Sequence, residues 1–552
     1  MPTPKGGTDA QVAHTPGIAP GRTDGGGAGD GRRGAGGVVA QDEVQRGGTL
    51  VVAADGTSFP TNLNPAINTS NGAVYISGKV VETLAEMGVD GLEPRLATNW
   101  EGSDDGLSFT VHLRDGVTWS DGQPFTSADV KFSAEEAWTV GQSLARTVLA
   151  NLDGVDTPDP LTAVLRFSAP TPESLIANAL PFISAVVPAH IYQGTDFATN
   201  PDNALNLQPV GTGPFVIAEI RPGELIRLTR NPTYWDPDKP YLDEIVFQIL
   251  PDASARAAAL ETGAVQLTVF SGVPRIDLQR LDDLDGVSAT TTGYEGLPYQ
   301  ITLDFNHRRA ELADVAVRKA IRQALDPQFI VDTVFLGFGA DPATGPVPQT
   351  STDFYTDDKT LYAFDPTAAA AALDAAGYPV GADGTRFTLR LRVAPFFPET
   401  VATGEYVKQA LEDVGIGVEI VAADSSAAYL QAVYTDHDFD LSINSPAYRS
   451  DPAISTTILF QGGLESGINF SNQWGYDNPE LDQVIADGLT TVDTAERVEV
   501  YHEFQRIIAD DLPNISLVDF RFTPAHRDQV HNVGNNPRWA VSNWSDVWLS
   551  AE

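Results

Sequence analysis

Cysteine is absent from the 552-residue sequence. This absence excludes disulfide frameworks, zinc sites with cysteine ligands, thiol catalysis and iron–sulfur clusters. A lipid anchor carried by a cysteine of this chain is excluded for the same reason. Long apolar runs are also missing, since none approaches the roughly 18–20 residues that a membrane-spanning helix needs. We therefore expect a chain that buries large cores and does not cross a membrane.

Positive charge is scarce: 34 Lys and Arg stand against 74 Asp and Glu, a formal net charge of −40. Such a field repels nucleic acid and anionic lipid, so we expect no nucleic-acid partner. Two explanations of the acidity stay open. One is a GC-rich genome combined with a need for solubility, and the other is adaptation to high salt.

Large apolar residues are nearly absent from residues 1–47, which are rich in glycine around Gly25–Gly31. A segment of this composition cannot bury enough surface to offset the entropy of ordering it. It also lacks the apolar core of roughly 7–15 residues that defines a signal peptide. We expect a disordered Gly-rich tether or a non-native leader.

After residue 47 the patterns of strands and helices alternate, which predicts an α/β protein with mixed sheets. The expected strands are 49–54, 107–114, 227–232, 244–250 and 439–443, and the expected helices are those starting near Thr126, 252–262, 315–325, 366–376 and the one after Asp493. Asp115-Gly116 predicts a tight turn, after which Val117–Trp119 is expected to pair back on the preceding strand. At 552 residues, two or three globular units are expected.

Motifs of catalysis are missing: the sequence has no HExxH, no GxSxG and no phosphate-binding loop. Asp436, Asp438 and Asp440 have the spacing of a calcium loop, but Leu441 stands where such a loop needs glycine for its sharp turn. We interpret this stretch as a solvated turn before a strand. The sequence predicts no enzyme, no metal site and no cofactor.

Several segments in order resemble one protein family. They are Leu92–Trp100, Ser108–Gly122, Phe125–Val130, Gly211–Phe215, Arg230–Trp235, Val317–Asp326, Asp477–Asp482 and Asp511–Pro513. Together they resemble the family 5 extracellular solute-binding proteins of ABC transporters, the dipeptide, oligopeptide and nickel-binding group. The resemblance covers essentially everything after Gly47.

The resemblance implies a two-lobed fold of the periplasmic-binding-protein type (type II, cluster C) with an extra subdomain on lobe one. Lobe one would comprise 48–79, 208–298 and 517–552; the subdomain would be 80–207 and lobe two 299–516. A peptide or similar small solute would be captured in the cleft between the lobes by a hinge motion and delivered to ABC permease subunits in the membrane. We expect a monomer that works outside the cytoplasm, in the periplasm or on the outer face of the cell membrane. A non-peptide solute (an oligosaccharide, opine or metal chelate) and a cleft-based sensor are the alternatives.

A cleft for varied solutes needs aromatic walls and a few polar anchors. The candidate ligand-binding residues are Ser58, Phe59, Asn71, Tyr75, Phe396, Phe397, Asn444, Tyr448, Arg449, Asp451, Asn469 and Trp474. For each of them an ordinary structural role, in the core or in a turn, is the competing interpretation.

The loop after Ile443 departs from the family pattern. In peptide-binding members an aspartate in this loop pairs with the α-ammonium of the ligand, a charge-assisted contact. When the loop is aligned on Asp451-Pro452, Tyr448 occupies the position of that acid. Arg449 either favours a carboxylate or phosphate on the ligand or forms a local ion pair.

Overall fold

The computed structural model describes residues 44–55 and 62–551. Helices and strands alternate along them, so the predicted α/β class is confirmed. Residues 44–47, which the sequence assigns to the tether, make contacts with the folded part. Arg46 Nη2 lies 3.2 Å from Asp238 Oδ1, and the N–H of Gly47 donates to the Tyr241 carbonyl at 2.8 Å.

The first sheet has seven strands and contains the strand that opens the folded chain. Its order is Val287–Ala289, Ala525–Arg527, Leu267–Thr268, Thr49–Ala54, Glu244–Ile249, Leu225–Arg230 and Phe215–Arg221. Thr49–Ala54 runs parallel to both of its neighbours. A strand flanked on both sides by parallel partners is usually buried on both faces, and this one is continuously apolar from Leu50 onward. Its carboxyl end, at Asp55, faces the region where the second sheet begins.

The second sheet has six strands. Its order is Ala340–Pro342, Asn514–Phe520, Tyr299–Phe305, Leu441–Asn444, Phe387–Val393 and Ile416–Val421. Tyr299–Phe305 is antiparallel to both of its neighbours and is buried from Gln300 to Phe305. The strand Asn514–Phe520 runs past residue 516, where the sequence places the end of lobe two.

The third sheet is built from four antiparallel strands. Its order is Ala97–Gly102, Ser108–Leu113, Thr162–Phe167 and Leu152–Asp159. Phe109, Val111 and Leu113 are buried, so the predicted alternation of Ser108–Leu113 is confirmed. Two small antiparallel sheets have two strands each: Ala85–Gly88 with Gly91–Pro94, and Val530–His531 with Trp548–Leu549.

One predicted pairing is wrong. Val117–Trp119 does not return to the strand Ser108–Leu113, whose two neighbours are already in place. Instead the Phe125 N–H donates to the Val117 carbonyl at 3.0 Å, and the Trp119 N–H donates to the Gln123 carbonyl at 2.8 Å. The turn at Gly122, with φ of 89°, brings these residues together. A sequence pattern identifies an extended segment but not its partner, which here is the residues that follow.

The five predicted helices are present, with ends that differ from the prediction by at most two residues where the prediction gave them. The α-helices are Asn71–Ser77, Ser127–Phe132, Thr139–Gly141, Ser143–Val148, Glu173–Ile183, Ala189–Tyr192, Ala253–Glu261, Arg275–Asp282, Ala310–Ala313, Val315–Gln323, Pro327–Thr333, Pro366–Ala375, Pro398–Asp413, Ser426–Leu430, Pro452–Ser455, Pro479–Thr490 and Thr494–Asp511. Two π-helical turns, Ser133–Trp138 and Gln431–Thr435, and three 3₁₀ turns, Ala204–Asn206, Thr457–Leu459 and Trp539–Val541, join them. Asp365 caps Pro366–Ala375 by accepting the Ala368 N–H at 2.8 Å, as predicted.

Two short connections join the first sheet to the second. One runs from Ala289 to Tyr299 and the other from Phe520 to Ala525. Near these connections, the carboxyl end of Thr49–Ala54 and the first residue of the strand Tyr299–Phe305 border the same space. This junction is where the candidate site lies.

Candidate functional site

A cavity of about 230 Å³ lies at the junction of the first and second sheets. We call it the aromatic cavity. It is lined by Ala53, Ala54, Asp55, Asn71, Gly72, Tyr75, Arg256, Val269, Phe270, Ser271, Gly272, Tyr299, Phe397 and Phe522. Tyr299 and Phe397 belong to the second-sheet side, and most of the others surround the first sheet. A concave, mostly apolar space between two structural units, with a few polar groups, has the properties of a small-molecule site.

Aromatic rings form a continuous wall around this cavity. Tyr75 meets Phe270 edge to face at 5.6 Å between ring centroids, and Phe270 meets Phe522 at 5.2 Å. Phe522 in turn meets Tyr299 at 5.1 Å, and Tyr299 meets Phe397 at 5.7 Å. Edge-to-face pairs of this kind hold ring orientations beyond what burial alone does. The wall therefore presents a rigid apolar surface that crosses from one sheet to the other.

The backbone at Phe270 is strained. Its φ of 51° lies in the left-handed region, which a bulky residue rarely adopts. The conformation is held by the Phe270 N–H, which donates to the Tyr294 hydroxyl at 2.7 Å. Strain of this kind concentrates at binding and active sites, where the surrounding structure over-determines it. Here it aims the Phe270 ring into the cavity wall.

One side-chain hydrogen bond crosses the aromatic cavity. Asn71 Nδ2, at the start of the helix Asn71–Ser77, donates to Tyr299 Oη at 2.9 Å. Burial raises the pKa of Tyr299, an effect that the positive charge of Arg449 partly offsets. The phenol thus stays neutral, and its oxygen remains able to accept a hydrogen bond. The two residues tie the first-sheet side of the cavity to the second-sheet side.

The charged residues of the aromatic cavity have different roles. Arg256 is occupied with the chain itself: its Nη1 donates to the carbonyls of Leu250 and Pro251 at 2.7 and 2.8 Å, and its Nε donates to Gly272. Burial lowers the pKa of Arg256, against the opposing effect of the Asp55 carboxylate. Asp55 is exposed at the strand end. It is the carboxylate of the cavity that is open to a ligand.

A second, larger cavity of about 730 Å³ is lined by six separate stretches of the chain; we call it the wide cavity. Its wall consists of Met87, Gly88, Val89, Asp90, Gly91, Leu92, Asn178, Thr292, Glu295, Gly296, Thr350, Ser351, Thr352, Asp353, Phe354, Ser450, Gly534, Asn536 and Pro537. The volume falls in the range of roughly 300–1,000 Å³ that ligand sites occupy. It opens beside the loop that follows Asn444.

That loop is held close to the aromatic cavity. The Tyr448 N–H donates to the Pro298 carbonyl at 2.8 Å, and Ala447 forms an isolated β-bridge with Tyr299. Tyr448 is fully buried, and its hydroxyl has no hydrogen-bond partner among the described residues. Arg449 is half-buried with its guanidinium 5.0 Å from the Phe182 ring. The loop therefore lies beside both cavities.

The structure brings together part of the predicted set. Asn71, Tyr75 and Phe397 line the aromatic cavity, and Tyr448 and Arg449 lie next to its Tyr299. Ser58 and Phe59 lie outside the described residues. The ligand contacts of all these residues stay predictions.

The other predicted residues are engaged elsewhere. Asp451 is fully buried in a two-point ion pair with Arg497, and it caps the helix Pro452–Ser455. Asn444 is fully buried, where its amide donates to Tyr434 and its carbonyl oxygen accepts the Ser445 N–H. Neither residue lines either cavity, so we do not include them in the proposed ligand set.

Three further predicted residues also lie away from both cavities. Trp474 is buried against Phe460, with ring centroids 5.7 Å apart, and belongs to the core. Phe396 packs on Tyr429 at 5.5 Å, and Asn469 is exposed. None of the three lines either cavity, and their ligand contacts stay predictions.

Sequence reasoning missed several lining residues. Tyr299 opens a strand of the second sheet, Phe522 stands in a connection between the sheets, and Phe270 follows the two-residue strand Leu267–Thr268. Asp55 follows the first strand directly, a position where ligands bind in open α/β sheets, and that signal could have identified it. The stretch Asp436–Asp440, interpreted from the sequence as a solvated turn, also carries ion pairs: Asp438, which is 47% exposed, binds Arg390 at 2.6 Å and also pairs with Arg392.

Comparisons with known proteins identify the family of this chain. The family model of the bacterial extracellular solute-binding proteins, family 5 (middle), matches residues 91–466, more than half of the chain. The dipeptide-binding protein of Escherichia coli K12 is 27% identical over 493 residues, which cover 85% of this chain and 89% of that protein.

Solved structures match over nearly the whole chain. The oligopeptide-binding protein AppA of Bacillus subtilis, in complex with a nonapeptide, matches with a TM-score of 0.76 and 23% identity over 92% of this chain and 100% of its own. The binding protein AgaA of A. tumefaciens R10, in complex with agropinic acid, matches with a TM-score of 0.73 and 26% identity over 92% of this chain and 99% of its own.

Proposed function

Since this chain belongs to the bacterial extracellular solute-binding proteins of family 5, we propose that it captures a peptide or similar small solute for an ABC importer. Its fold is that of the two-lobed type II periplasmic binding proteins. The observation that carries the proposal is the aromatic cavity, whose lining comes from both sides of the sheet junction. A solute bound there would be held by both lobes and handed to a membrane permease.

The division of the chain supports a hinge motion. We keep the predicted division (lobe one 48–79, 208–298 and 517–552, subdomain 80–207, lobe two 299–516) except at its last boundary. The strand Asn514–Phe520 pairs with Tyr299–Phe305 in the second sheet, so lobe two ends at 520 and lobe one resumes at 521. Two connections link the first and second sheets, 290–298 and 521–524, and they can act as the hinge between the lobes. The Asn71–Tyr299 hydrogen bond and the Tyr299–Phe522 ring contact form across the junction. Closure around a solute would exclude water and strengthen its polar contacts.

We propose binding without turnover. The relatives are named as binding proteins, and the charged groups of the aromatic cavity do not form an acid–base pair. Arg256 is committed to backbone carbonyls, and burial raises the pKa of Tyr75 so far that it stays protonated. The cavity instead offers ring surfaces, a phenol and one open carboxylate, which are groups suited to recognition.

Location and partners follow from the family. Its members are extracellular solute-binding proteins, so we propose that this one works outside the cytoplasm as a monomer that docks on an ABC permease. Among the helices of the described residues, none is both long and apolar enough to cross a membrane.

Native mass spectrometry of the protein purified from a cell extract tests the proposed function. A ladder of co-purifying oligopeptide masses is expected if peptides are the ligands. A single mass of an opine or a sugar would instead establish the non-peptide alternative. Protein that binds neither its co-purified molecules nor a peptide library on reloading would contradict a role in solute capture.

The substitution Asn71→Ala is expected to weaken binding of the co-purified solute by about fivefold to tenfold, the equivalent of one hydrogen bond. The amide that ties the helix Asn71–Ser77 to Tyr299 would be lost, which loosens the closed cavity. Isothermal titration calorimetry measures the affinity. Asn99→Ala, at an exposed asparagine that lines neither cavity and is not a candidate ligand residue, is the matched control and should leave affinity unchanged. Equal losses in the two variants would contradict our placement of the site.

A further inference from the structure

Two arginines share one aromatic ring beside the loop that follows Asn444. The guanidinium of Arg449 lies 5.0 Å from the centroid of Phe182, and that of Arg538 lies 4.3 Å from it. Burial lowers the pKa of Arg538 to about 10, and the charge of Arg449 adds to that lowering. Two positive charges therefore lie close together on the same ring and repel each other. We call Arg449, Arg538 and Phe182 the arginine pair site.

The protein supplies little negative charge to compensate this pair. Among the described residues, no carboxylate oxygen lies within 4.0 Å of the Arg449 guanidinium, whereas Arg538 Nη1 has Glu86 Oε1 at 3.6 Å. Burial raises the pKa of Glu86, and the charges of Arg95 and Lys79 also act on this carboxylate. Glu86 is therefore shared among several cations. In a chain with a net charge of −40, an excess of buried positive charge is unexpected.

The hydrogen-bond donors of the pair are also incompletely used. Arg449 Nη1 donates to the carbonyl of its own neighbour Tyr448 at 2.7 Å, and Arg538 Nη1 donates to the Pro181 carbonyl. The Nε atoms of both arginines are buried without a partner among the described residues. A buried donor without an acceptor is costly, and a buried charge without a counter-charge more so. A cation–π contact of about 0.5–2 kcal/mol compensates only part of this.

The arginine pair site lies beside both cavities. Ser450, the next residue after Arg449, lines the wide cavity, and so does Pro537, which precedes Arg538. On the other side, the charge of Arg449 reaches the phenol of Tyr299, which lines the aromatic cavity. Arg449 itself lines neither cavity, so a solute in the wide cavity would reach its guanidinium by extending past Ser450.

We infer that the arginine pair site binds a carboxylate of the solute, with Arg449 as its main anchor. A carboxylate would accept from the free edge of the Arg449 guanidinium and neutralise the excess charge of the pair. The solute class is thus an acid whose carboxylate points to the loop Ser445–Asp451. In this loop the family resemblance places an aspartate that binds the α-ammonium group of the ligand. Here an arginine would bind a carboxylate instead, so the charges of protein and ligand are exchanged. The inference rests on the proposed function only in using the same cleft.

The test compares acids with their neutral amides. Alanyl-alanine and its C-terminal amide form one pair of probes, and glutarate and glutaramide form the other. Affinity is measured by calorimetry, and thermal shift by fluorescence, at constant ionic strength. At least one acid is expected to bind the unmodified protein ten or more times tighter than its amide. In Arg449→Gln this preference should fall to less than twofold.

Two control variants show whether a preference for acids comes from the charge of Arg449 or from positive charge elsewhere on the protein. Arg146→Gln, at an exposed arginine, should keep the full preference for acids. Arg449→Lys retains the positive charge and should retain most of the preference, so it keeps the test decisive if Arg449→Gln folds poorly. Preference for the dipeptide acid alone, or for glutarate alone, supports the inference and identifies the source of the carboxylate.

Three results would overturn the inference. They are equal binding of acids and amides, binding of none of the four probes, and an unchanged preference in Arg449→Gln. None of them decides the proposed function, because native mass spectrometry of the co-purified solute measures solute capture independently. Conversely, a captured solute without a carboxylate would leave the proposed function intact and refute the arginine pair site.

Discussion

Replacing Arg497 by methionine is expected to lower the free energy of unfolding by about 3–5 kcal/mol. Arg497 Nη1 and Nη2 bind the two carboxylate oxygens of Asp451 at 2.6 and 2.8 Å, and both side chains have zero exposed surface. Methionine keeps most of the volume but leaves the Asp451 carboxylate buried without its counter-charge. Urea denaturation followed by tryptophan fluorescence measures the loss.

An exposed ion pair provides the matched control. Arg166 binds Asp156 at 2.9 Å, but the two side chains are 52% and 63% exposed. Arg166→Met should therefore change stability by less than about 1 kcal/mol. The double variant Asp451→Leu/Arg497→Met removes both charges and should recover part of the stability lost in Arg497→Met. A loss below about 1 kcal/mol in Arg497→Met would mean that Asp451 is solvated and open to the cleft.

Replacing Asp304 by asparagine is expected to stabilise the protein at alkaline pH. Asp304 is fully buried at the centre of the second sheet, where Oδ1 accepts from Asn514 Nδ2 at 3.3 Å. Its Oδ2 has no hydrogen-bond partner among the described residues. Burial raises the pKa of Asp304 from 3.8 to about 7. The folded state therefore favours the protonated carboxyl, which asparagine resembles in shape and charge.

The pH window follows from the sign of this shift. Because the pKa is raised on folding, the stabilising contribution is complete below pH 3.8 and is lost as pH rises toward about 7. At about pH 8.5 the variant should be roughly 2–4 kcal/mol more stable than the unmodified protein, while near pH 4 the two should be equal.

Asp519 is the second acid that burial raises to a pKa of about 7. Asp519 makes stability depend on pH in both the unmodified protein and the Asp304→Asn variant. The quantity to compare is therefore the difference between their free energies of unfolding at each pH. Urea unfolding across this range measures it, and Asp156→Asn, at an exposed acid, should show no such difference. Destabilisation by Asp304→Asn at every pH would contradict a buried, protonated carboxyl.

Local signals in the sequence were sufficient for most secondary structure. The alternation in Ser108–Leu113 and the capping residue Asp365 depend on neighbours a few positions away, and the structure has both as expected. The predicted partner of Val117–Trp119 was wrong because strand pairing depends on which strand edge is unoccupied in the folded protein, and both edges of Ser108–Leu113 are already paired. Sequence distance does not contain that information.

The candidate site was only partly accessible to the same reasoning. Asn71, Tyr75 and Phe397 line the aromatic cavity, whereas Trp474 and Asp451 are enclosed by the core. All five are residue types that suit a cleft, and their positions along the chain did not distinguish them. Whether a side chain faces a cavity depends on the packing of distant segments. The contribution of Tyr299, from the second sheet, could be seen only once the two sheets were placed together.

The sequence by itself determined the α/β class, the family, the acidity and the exclusion of cysteine chemistry, because composition, short-range periodicity and ordered motifs carry that information. The family resemblance also places Tyr448-Arg449 where an acid is expected. Only the tertiary structure decided what that replacement means. Asp451 is neutralised by Arg497, which comes from a helix far along the chain, while Arg449 shares the Phe182 ring with another arginine and, among the described residues, has no carboxylate oxygen within 4.0 Å. Charge compensation is a property of three-dimensional neighbours, and the same residue can be paired or open according to which segments fold against it.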